Sequence, residues 1–484
     1  MRAGHHHAPA IPRARTARPV LVAVANGTVM GEVLDYGTGR DYGFRYADAW
    51  RFDRRAFPLS LSMPLARADA PPGVTVPYLW GLLPDNDRVL KRWAHRFGVS
   101  AANPIGLLAA VGEDCAGAVQ FAPPERAAAL LGPHVPVAVT DAAAHGAVQW
   151  LTEAELATRL RDLNRDPAAG REPGDAGQFS LAGAQPKTAL LEWEGRWGVP
   201  SGRVPTTVIL KPPALERELH VDGIVENEHC CLALARALGL RAAESFVVRW
   251  EDQTAIAVRR YDRAAAAPGH LVRVHQEDAC QALGVHPADK YEKDGGPGVA
   301  DCVGLLLERS DRPERDARRF LEAVAFNWLI AGTDAHAKNY GLLLGAGGEV
   351  RLAPLYDLLS AAPYPIQMPI QKLKLAMRIG REYGVRRVGA PQWTTLAEAL
   401  VDAHGLGALG GWDVPGLLDM LLARAETMPD HARDVARRAA AEGLSEVVVT
   451  RWADAVAERA AYCARQLRLG GVRDTITEGG ASPG

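Results

Sequence analysis

The sequence predicts an α+β protein in which sheet-rich segments come first and helices follow. Residues 19–66 alternate apolar stretches such as "VLVAVANGTVMGEVLDY" with Asn-Gly and Gly-Thr-Gly turn signals. Residues 178–262 hold the β-branched run "TTVILKPP" between two hairpin patterns. From about residue 263 the apolar spacing is helical, with one hairpin, "GLLLGAGGEVRLAPLYDLL", as its interruption.

Taken in order, the first 18 residues lack the apolar stretch of a secretory signal and read as a flexible arm. After the hairpins, "YLWGLLPDNDRVLKRWAHRFG" keeps apolar residues at helical spacing beyond Pro84. The Ala/Pro/Gly-rich stretch 122–148 marks a domain boundary. Thr152 and Glu155 have capping-box spacing and predict a helix start, followed by a Gly/Pro/Asp-rich loop at 167–177. Beyond it "FSLAGAQPKTALLEWEGRWGVP" reads as loop, strand, a turn at Glu194-Gly195, and strand. "TTVILKPP" reads as a strand ending on Lys211, "VENEHCCLALARALGL" as an amphipathic helix, and "AESFVVRWEDQTAIAVRRYDR" as another hairpin. Residues 471–484 read as a flexible tail.

Composition narrows the function classes. With 48% hydrophobic and 23% charged residues most of the chain should fold, and 484 residues suit two or three domains. A formal net charge of −2 gives no global attraction to nucleic acid or to a membrane. No apolar run reaches the roughly 18 residues of a membrane span. The six cysteines fit neither a metal knuckle nor a disulfide framework, and read as reduced thiols of a cytoplasmic protein. Only eight of the 55 basic residues are lysines, and seven of those eight fall between 187 and 374. A compact ammonium is wanted there in place of a guanidinium fork.

Those lysines share their region with a polar constellation. Moving the γ-phosphoryl group of a nucleotide calls for a cation on the phosphates, oxygen ligands for Mg²⁺, and a carboxylate to take the acceptor's proton. Lys211 ends a strand. Asp334 and Asn339 in "TDAHAKN" have the Asp-x-x-x-x-Asn spacing of a kinase catalytic loop, and the hairpin 340–354 returns the chain to Asp357, where it can share a metal with Asn339. Alternative readings are a polar helix end, or a hydrolase metal pair at Asp334 and His336. "SLAGAQPKT" lacks the second glycine of a Walker A motif, yet its small residues let backbone N–H groups approach phosphates; a plain turn is the alternative. Glu226 and Glu228 are candidates for a partner of Lys211, with solvated carboxylates on a helix face as the equal alternative. "HQEDACQALG" and "KYEKDGGPG" are read as structural.

Together "SLAGAQPKTALL", "VILKPP", "VENEHCCLALARALGL", "HQEDACQALG", "KYEKDGGPG", "TDAHAKNYGLLL" and "LAPLYDLLSA" resemble the HipA family of bacterial toxin kinases, and "LSLSMPL", "GLLPDN" and "GEDCAGAVQF" resemble its N-terminal part. The resemblance implies a two-lobed, protein-kinase-like core related to the phosphoinositide kinases. It divides the chain into an N-terminal β-rich subdomain (19–123), an N-lobe (149–262) and a helical C-lobe (263–470). It implies a serine/threonine protein kinase with ATP and Mg²⁺ as cofactors, acting as the toxin of a toxin–antitoxin pair. Asp334 would then be the catalytic base, and Asn339 and Asp357 the Mg²⁺ ligands. Lys211, His336, Ala337, Lys338 and Tyr356 would face the nucleotide, Ala182, Gly183, Ala184, Gln185, Pro186 and Lys187 would form its loop, and Arg259, Arg260 and Tyr261 its adenine-side hinge. Ser180 matches an autophosphorylated serine. Arg259 stands where an acidic hinge residue is expected, so adenine contacts there fall to backbone groups. The implied partners are a HipB-like helix-turn-helix antitoxin, operator DNA through that antitoxin, and a protein substrate such as an aminoacyl-tRNA synthetase. A catalytically silent corepressor and a small-molecule phosphotransferase are the competing functions.

Overall fold

The computed structural model of the protein describes residues 17–133, 136–139, 147–166, 169, 179–214, 216 and 219–474. The first sheet is built from β1 (Arg18–Ala25), β2 (Thr28–Asp35), β3 (Tyr42–Tyr46), β4 (Asp69–Ala70) and β5 (Val119–Ala122), in the order β4-β3-β2-β1-β5. The Asn26-Gly27 turn joins β1 to β2, with both residues at positive φ, as a tight hairpin demands. Three helices cover this sheet: α1 (Pro72–Gly81), α2 (Asp87–Phe97) and α3 (Pro104–Val111). The helical stretch expected over 78–98 is two helices. Asn86 accepts from the N–H groups of Arg88 and Val89 and starts α2 afresh, which leaves 82–86 as a turn. That turn matters below.

After β6 (Val137–Ala138) comes an antiparallel six-stranded sheet. It comprises β7 (Val148–Leu151), β8 (Thr188–Trp193), β9 (Arg196–Pro200), β10 (Val208–Lys211), β11 (Ser245–Trp250) and β12 (Gln253–Arg259), ordered β11-β12-β10-β8-β9-β7. Alternation along β12 decides what each face packs against. Ala255 and Ala257 join a core with Leu156 and Leu160 of α4 (Glu153–Arg165), whose Thr152 and Glu155 form the expected capping box. Ile256 and Val258 face the larger core that includes Cys231 and Leu232 of α5 (Ile224–Ala237). Lys211 pairs with Ile256 in the ladder, so its place at the strand end is fixed by register.

Helices do not take over at 263 with a single interruption. β13 (Arg263–Ala267) and β14 (His270–Arg273) form a hairpin closed at Pro268-Gly269, which pairs with β6. β15 (His275–Asp278) pairs with β16 (Gly341–Leu344), which pairs in turn with β17 (Val350–Leu352). The alanine run of β13 favours a helix by propensity, and cross-strand pairing overrides it. A further hairpin, β18 (Lys374–Ile379) and β19 (Glu382–Gly384), also went unexpected. The helical lobe consists of α6 (Val299–Arg309), α7 (Pro313–Leu329), α8 (Ala390–His404), α9 (Val414–Ala441) and α10 (Glu446–Asp474). α10 runs through 471–474, which were expected in the tail, because the helix packed on α9 continues; the rest of that tail lies outside the described residues. Residues 1–16 of the arm and most of the 167–177 loop also lie outside them. Among the described residues no helix is long and apolar enough to cross a membrane.

The first sheet's unit is joined to the six-stranded sheet by charge. Asp114, buried just before β5, accepts from Arg263 at 2.8 Å, Arg273 at 3.1 Å and the Thr206 hydroxyl at 2.6 Å. Arg260 completes the cluster with two bonds to Asp262. Burial would raise the Asp114 carboxyl, and the three guanidiniums outweigh it and hold the group well below the carboxylate range. Asp114→Ala leaves three buried cations facing Asp262 alone. It is expected to cost about 3–5 kcal/mol of unfolding free energy in a urea titration, whereas Asp69→Ala, at an exposed pair with Arg45, should cost under about 1 kcal/mol.

Candidate active site

Lys211 is where the two lobes meet. Its Nζ donates to Glu228 Oε1 at 2.6 Å, from α5, and to Asp357 Oδ1 at 2.8 Å, from the helical lobe. Burial disfavours the ammonium, yet the two carboxylates overcompensate and raise it above its ordinary value. Asp357 is pulled up by burial and pushed down harder by Lys211 and Lys187, so it stays ionised. Of the two glutamates the sequence left equal, Glu228 is the partner. It is fully buried, and among the described residues its Oε2 has no hydrogen-bond partner.

These groups border a cavity of about 490 Å³ between the lobes. Asp334 and Asn339 reach it from the loop after α7. That loop turns at Ala331 (φ 55°) and ends in a 3₁₀ turn over Ala337–Asn339. Asn339 Nδ2 donates to the Asp334 carbonyl at 2.8 Å, so the asparagine braces the loop and keeps Oδ1 for another partner. The β16–β17 hairpin then returns the chain to Asp357, which sits at φ 58°, a left-handed conformation a non-glycine residue adopts at a cost of about 1–2 kcal/mol. Tyr356 donates to the Lys338 carbonyl at 2.6 Å and ties the returning strand to the loop. The four residues expected to converge, Lys211, Asp334, Asn339 and Asp357, all line this one cavity.

Opposite them lies the loop 180–187. Lys187 Nζ donates to the Ala182 carbonyl at 2.6 Å, folding the loop on itself. Gly183 sits at φ 98°, a conformation that residues with a side chain rarely adopt, and a Cβ there would press on the flexible tip of Lys187. The outer side of the loop is held by the turn 82–86, through the Asp85 N–H on the Gly183 carbonyl (3.3 Å) and Asn86 Nδ2 on the Ala184 carbonyl (3.2 Å). Ser180 is fully buried, and its hydroxyl donates to the Leu82 carbonyl at 2.7 Å.

Several expected residues are placed differently. Pro186 borders a smaller adjoining cavity, and Ala337 is buried away from the cavity wall. The guanidinium of Arg260 is spent in the Asp114–Asp262 cluster, which leaves its backbone for the hinge. Arg259 reaches Glu192 at 2.9 Å, and Tyr261 bonds Gln276. Lys338 does not stand free for phosphates, since it donates to Asp278 at 2.9 Å and to the Gly81 carbonyl. His336 lines the cavity with burial lowering its basicity, and among the described residues its Nδ1 has no hydrogen-bond partner. Two segments read as structural reach the site: Asp278 caps a one-turn helix beside the cavity, and Tyr291 donates to Asp334 Oδ1 at 2.7 Å. Asp85, Asp278 and Tyr291 were missed because each depends on a contact across more than 40 residues of sequence; a capping-box pattern at Asp278-Gln281 was the one local signal.

The HipA-like C-terminal domain matches residues 179–442, more than half the chain, and the HipA N-terminal domain matches residues 21–122. The chain belongs to the HipA family. It is 37% identical over 374 residues to "Putative kinase Y4mE" of Sinorhizobium fredii, covering 77% of this chain and 84% of that one. It is 29% identical over 399 residues to the serine/threonine-protein kinase toxin HipA of Shewanella oneidensis, covering 80% and 84%. The HipA structure solved with HipB and operator DNA from Shewanella oneidensis superposes with a TM-score of 0.74 at 25% identity, covering 94% of this chain and 99% of that one. This member of the HipA family therefore has the two-lobed, kinase-like α+β fold, and the relatives it resembles are named as kinases.

Lys211→Met tests the central pair. Asp357 has a depressed folded pKa, so its stabilising term is present above the ordinary carboxylate range, near pH 4, and fades as pH falls further. The variant should lose about 3 kcal/mol or more near pH 7, and the gap from wild type should narrow in denaturation curves taken below about pH 4.

Proposed function

We propose that this protein transfers the γ-phosphoryl group of ATP to a serine or threonine hydroxyl of a protein, as the toxin of a HipB-like toxin–antitoxin pair. The observation that carries this is the buried Lys211 ammonium bound to both Glu228 and Asp357 on a cavity that also presents Asp334 and Asn339. Asp334 has a side chain 70% exposed at the cavity mouth, open to an incoming hydroxyl. It takes that proton as the acceptor oxygen bonds the γ-phosphorus and the bridging P–O bond to ADP breaks. Lys211 and Lys187 supply positive charge for the phosphates, and the backbone of 182–184 lies beside them.

The residues present fit Mg²⁺. Asn339 has committed its Nδ2 and Asp357 its Oδ1, which leaves one oxygen of each on the same cavity. Among the described residues no group of three or more His, Cys, Asp or Glu could hold a metal alone, which suits an ion that takes its remaining ligands from phosphate and water. When bound, Mg²⁺ would neutralise charge on the β- and γ-phosphates.

Ser180 is proposed as the autophosphorylation site. Its hydroxyl is sealed against Leu82, so modification requires the 180–187 loop to leave, and a phosphate carrying about −1.5 to −2 charges would oppose its return. The likeness to a HipA structure solved with HipB and operator DNA supports a helix-turn-helix antitoxin as partner, with operator DNA reached through it. An aminoacyl-tRNA synthetase is the proposed substrate class.

Purified protein given Mg²⁺ and γ-labelled ATP is expected to label itself at Ser180. Asp334→Ala should abolish labelling, and Ser180→Ala should abolish self-labelling alone; label that survives Asp334→Ala at full level rejects the assignment. Nucleotide affinity carries its own signature. Burial and the neighbouring Lys211 bring the Lys187 ammonium down to about 8, so above that pH the free protein must take up a proton to bind phosphate there. Affinity measured by calorimetry should fall toward tenfold per pH unit above about 8, and Lys187→Met should flatten that limb.

A further inference from the structure

Asp334 is poorly held by its own loop. Its side chain is largely exposed, and among the described residues the polar groups near its carboxylate are the Tyr291 hydroxyl at 2.7 Å and, more distantly, His336 Nε2 at 3.9 Å. An exposed aspartate samples several χ1 wells, whereas proton transfer needs one of them.

Tyr291, by contrast, sits on a braced segment. Residues 289–296 fold back tightly enough that a Cβ on Gly296 would lie 1.9 Å from the Asp289 carbonyl. The tyrosine's two chain neighbours are anchored in different parts of the molecule. Lys290 Nζ reaches Asp85 at 2.9 Å, in the turn that also holds the 180–187 loop, and Glu292 accepts from the Arg378 N–H at 2.6 Å and from its Nε at 2.9 Å. The Tyr291 ring packs edge-on to His336, with centroids 5.1 Å apart.

Building on the kinase reading above, we propose that Tyr291 is the positioning residue of Asp334, fixing one carboxylate oxygen so that the other meets the acceptor hydroxyl. Asp85, through Lys290, links that positioning to the loop that would cover the nucleotide. The N-terminal domain thereby completes the active site.

Tyr291→Phe keeps the ring and removes the donor. Its kcat for phosphoryl transfer is expected to fall between about 10- and 100-fold, with the Kd for Mg-ADP and the unfolding temperature unchanged. Asp85→Asn should lower kcat less, and the double variant should lose less than the product of the two single effects. Crystal structures give a readout that needs no turnover: one Asp334 side-chain conformation in the wild type and more than one in Tyr291→Phe. The proposal is overturned if kcat is unchanged, if it rises (the hydroxyl would then be blocking the acceptor's place), if nucleotide affinity and unfolding temperature fall in step with it, or if Asp334 keeps one conformation without the phenol. Wild-type protein that transfers no phosphate refutes the kinase reading, and the crystallographic comparison still decides the role of Tyr291.

Discussion

The buried ammonium of Lys211 answers two carboxylates that arrive from opposite sides of the cleft, and no single element of the fold could satisfy all three charges. Glu228 sits at the base of the six-stranded sheet on α5, and Asp357 comes from the chain that returns after β17. A lone buried ion of any of these kinds would cost several kcal/mol in desolvation, so the lobes are held in the relative position at which the three compensate one another. Asp357 and Asn339 each keep one oxygen outside these bonds on the same cavity, the pair proposed above to hold a divalent cation.

A second charge cluster does the same for the N-terminal domain. Asp114 meets Arg260, Arg263 and Arg273, and Arg260 is a neighbour of the hinge backbone that borders the cavity. The N-terminal domain also reaches the 180–187 loop through Leu82, Asp85 and Asn86. Buried ion networks contribute little net stability, yet they penalise misplacement heavily. Positional definition of the hinge and loop is thus the better account of why such expensive groups are kept here.

What could be read from the sequence follows the range of the interactions. The strand ending on Lys211, the turn at Glu194-Gly195, the cap at Thr152 and the hairpin that brings Asp357 back are set by residues within about 20 positions, and each is in the structure. Glu228 could not be told from Glu226, since both lie on one helix and only the docking of α5 turns one of them inward. The β13–β14 hairpin was hidden by an alanine run whose local preference is helical. Tyr291 and Asp85 lie in stretches that resemble the family, "KYEKDGGPG" and "GLLPDN", yet no role could be read for either, because their partners are 43 and 205 residues away.

The same contrast bears on how the site is assembled. Of the groups proposed to handle charge on the ligand, Lys211 is buried and Asp357 and Lys187 are half-buried, and the protonation of all three is shifted by the surroundings. The carboxylate proposed to take the proton is instead out in solvent, where water would otherwise decide its orientation. A base so exposed gains freedom to meet a bulky protein acceptor and loses definition. A phenol held by two anchored neighbours restores the definition from one side and leaves the other open. That division of labour, with electrostatics set inside the cleft and geometry set from its rim, explains why the rim is drawn from the N-terminal domain and the 289–296 segment as well as from the kinase core.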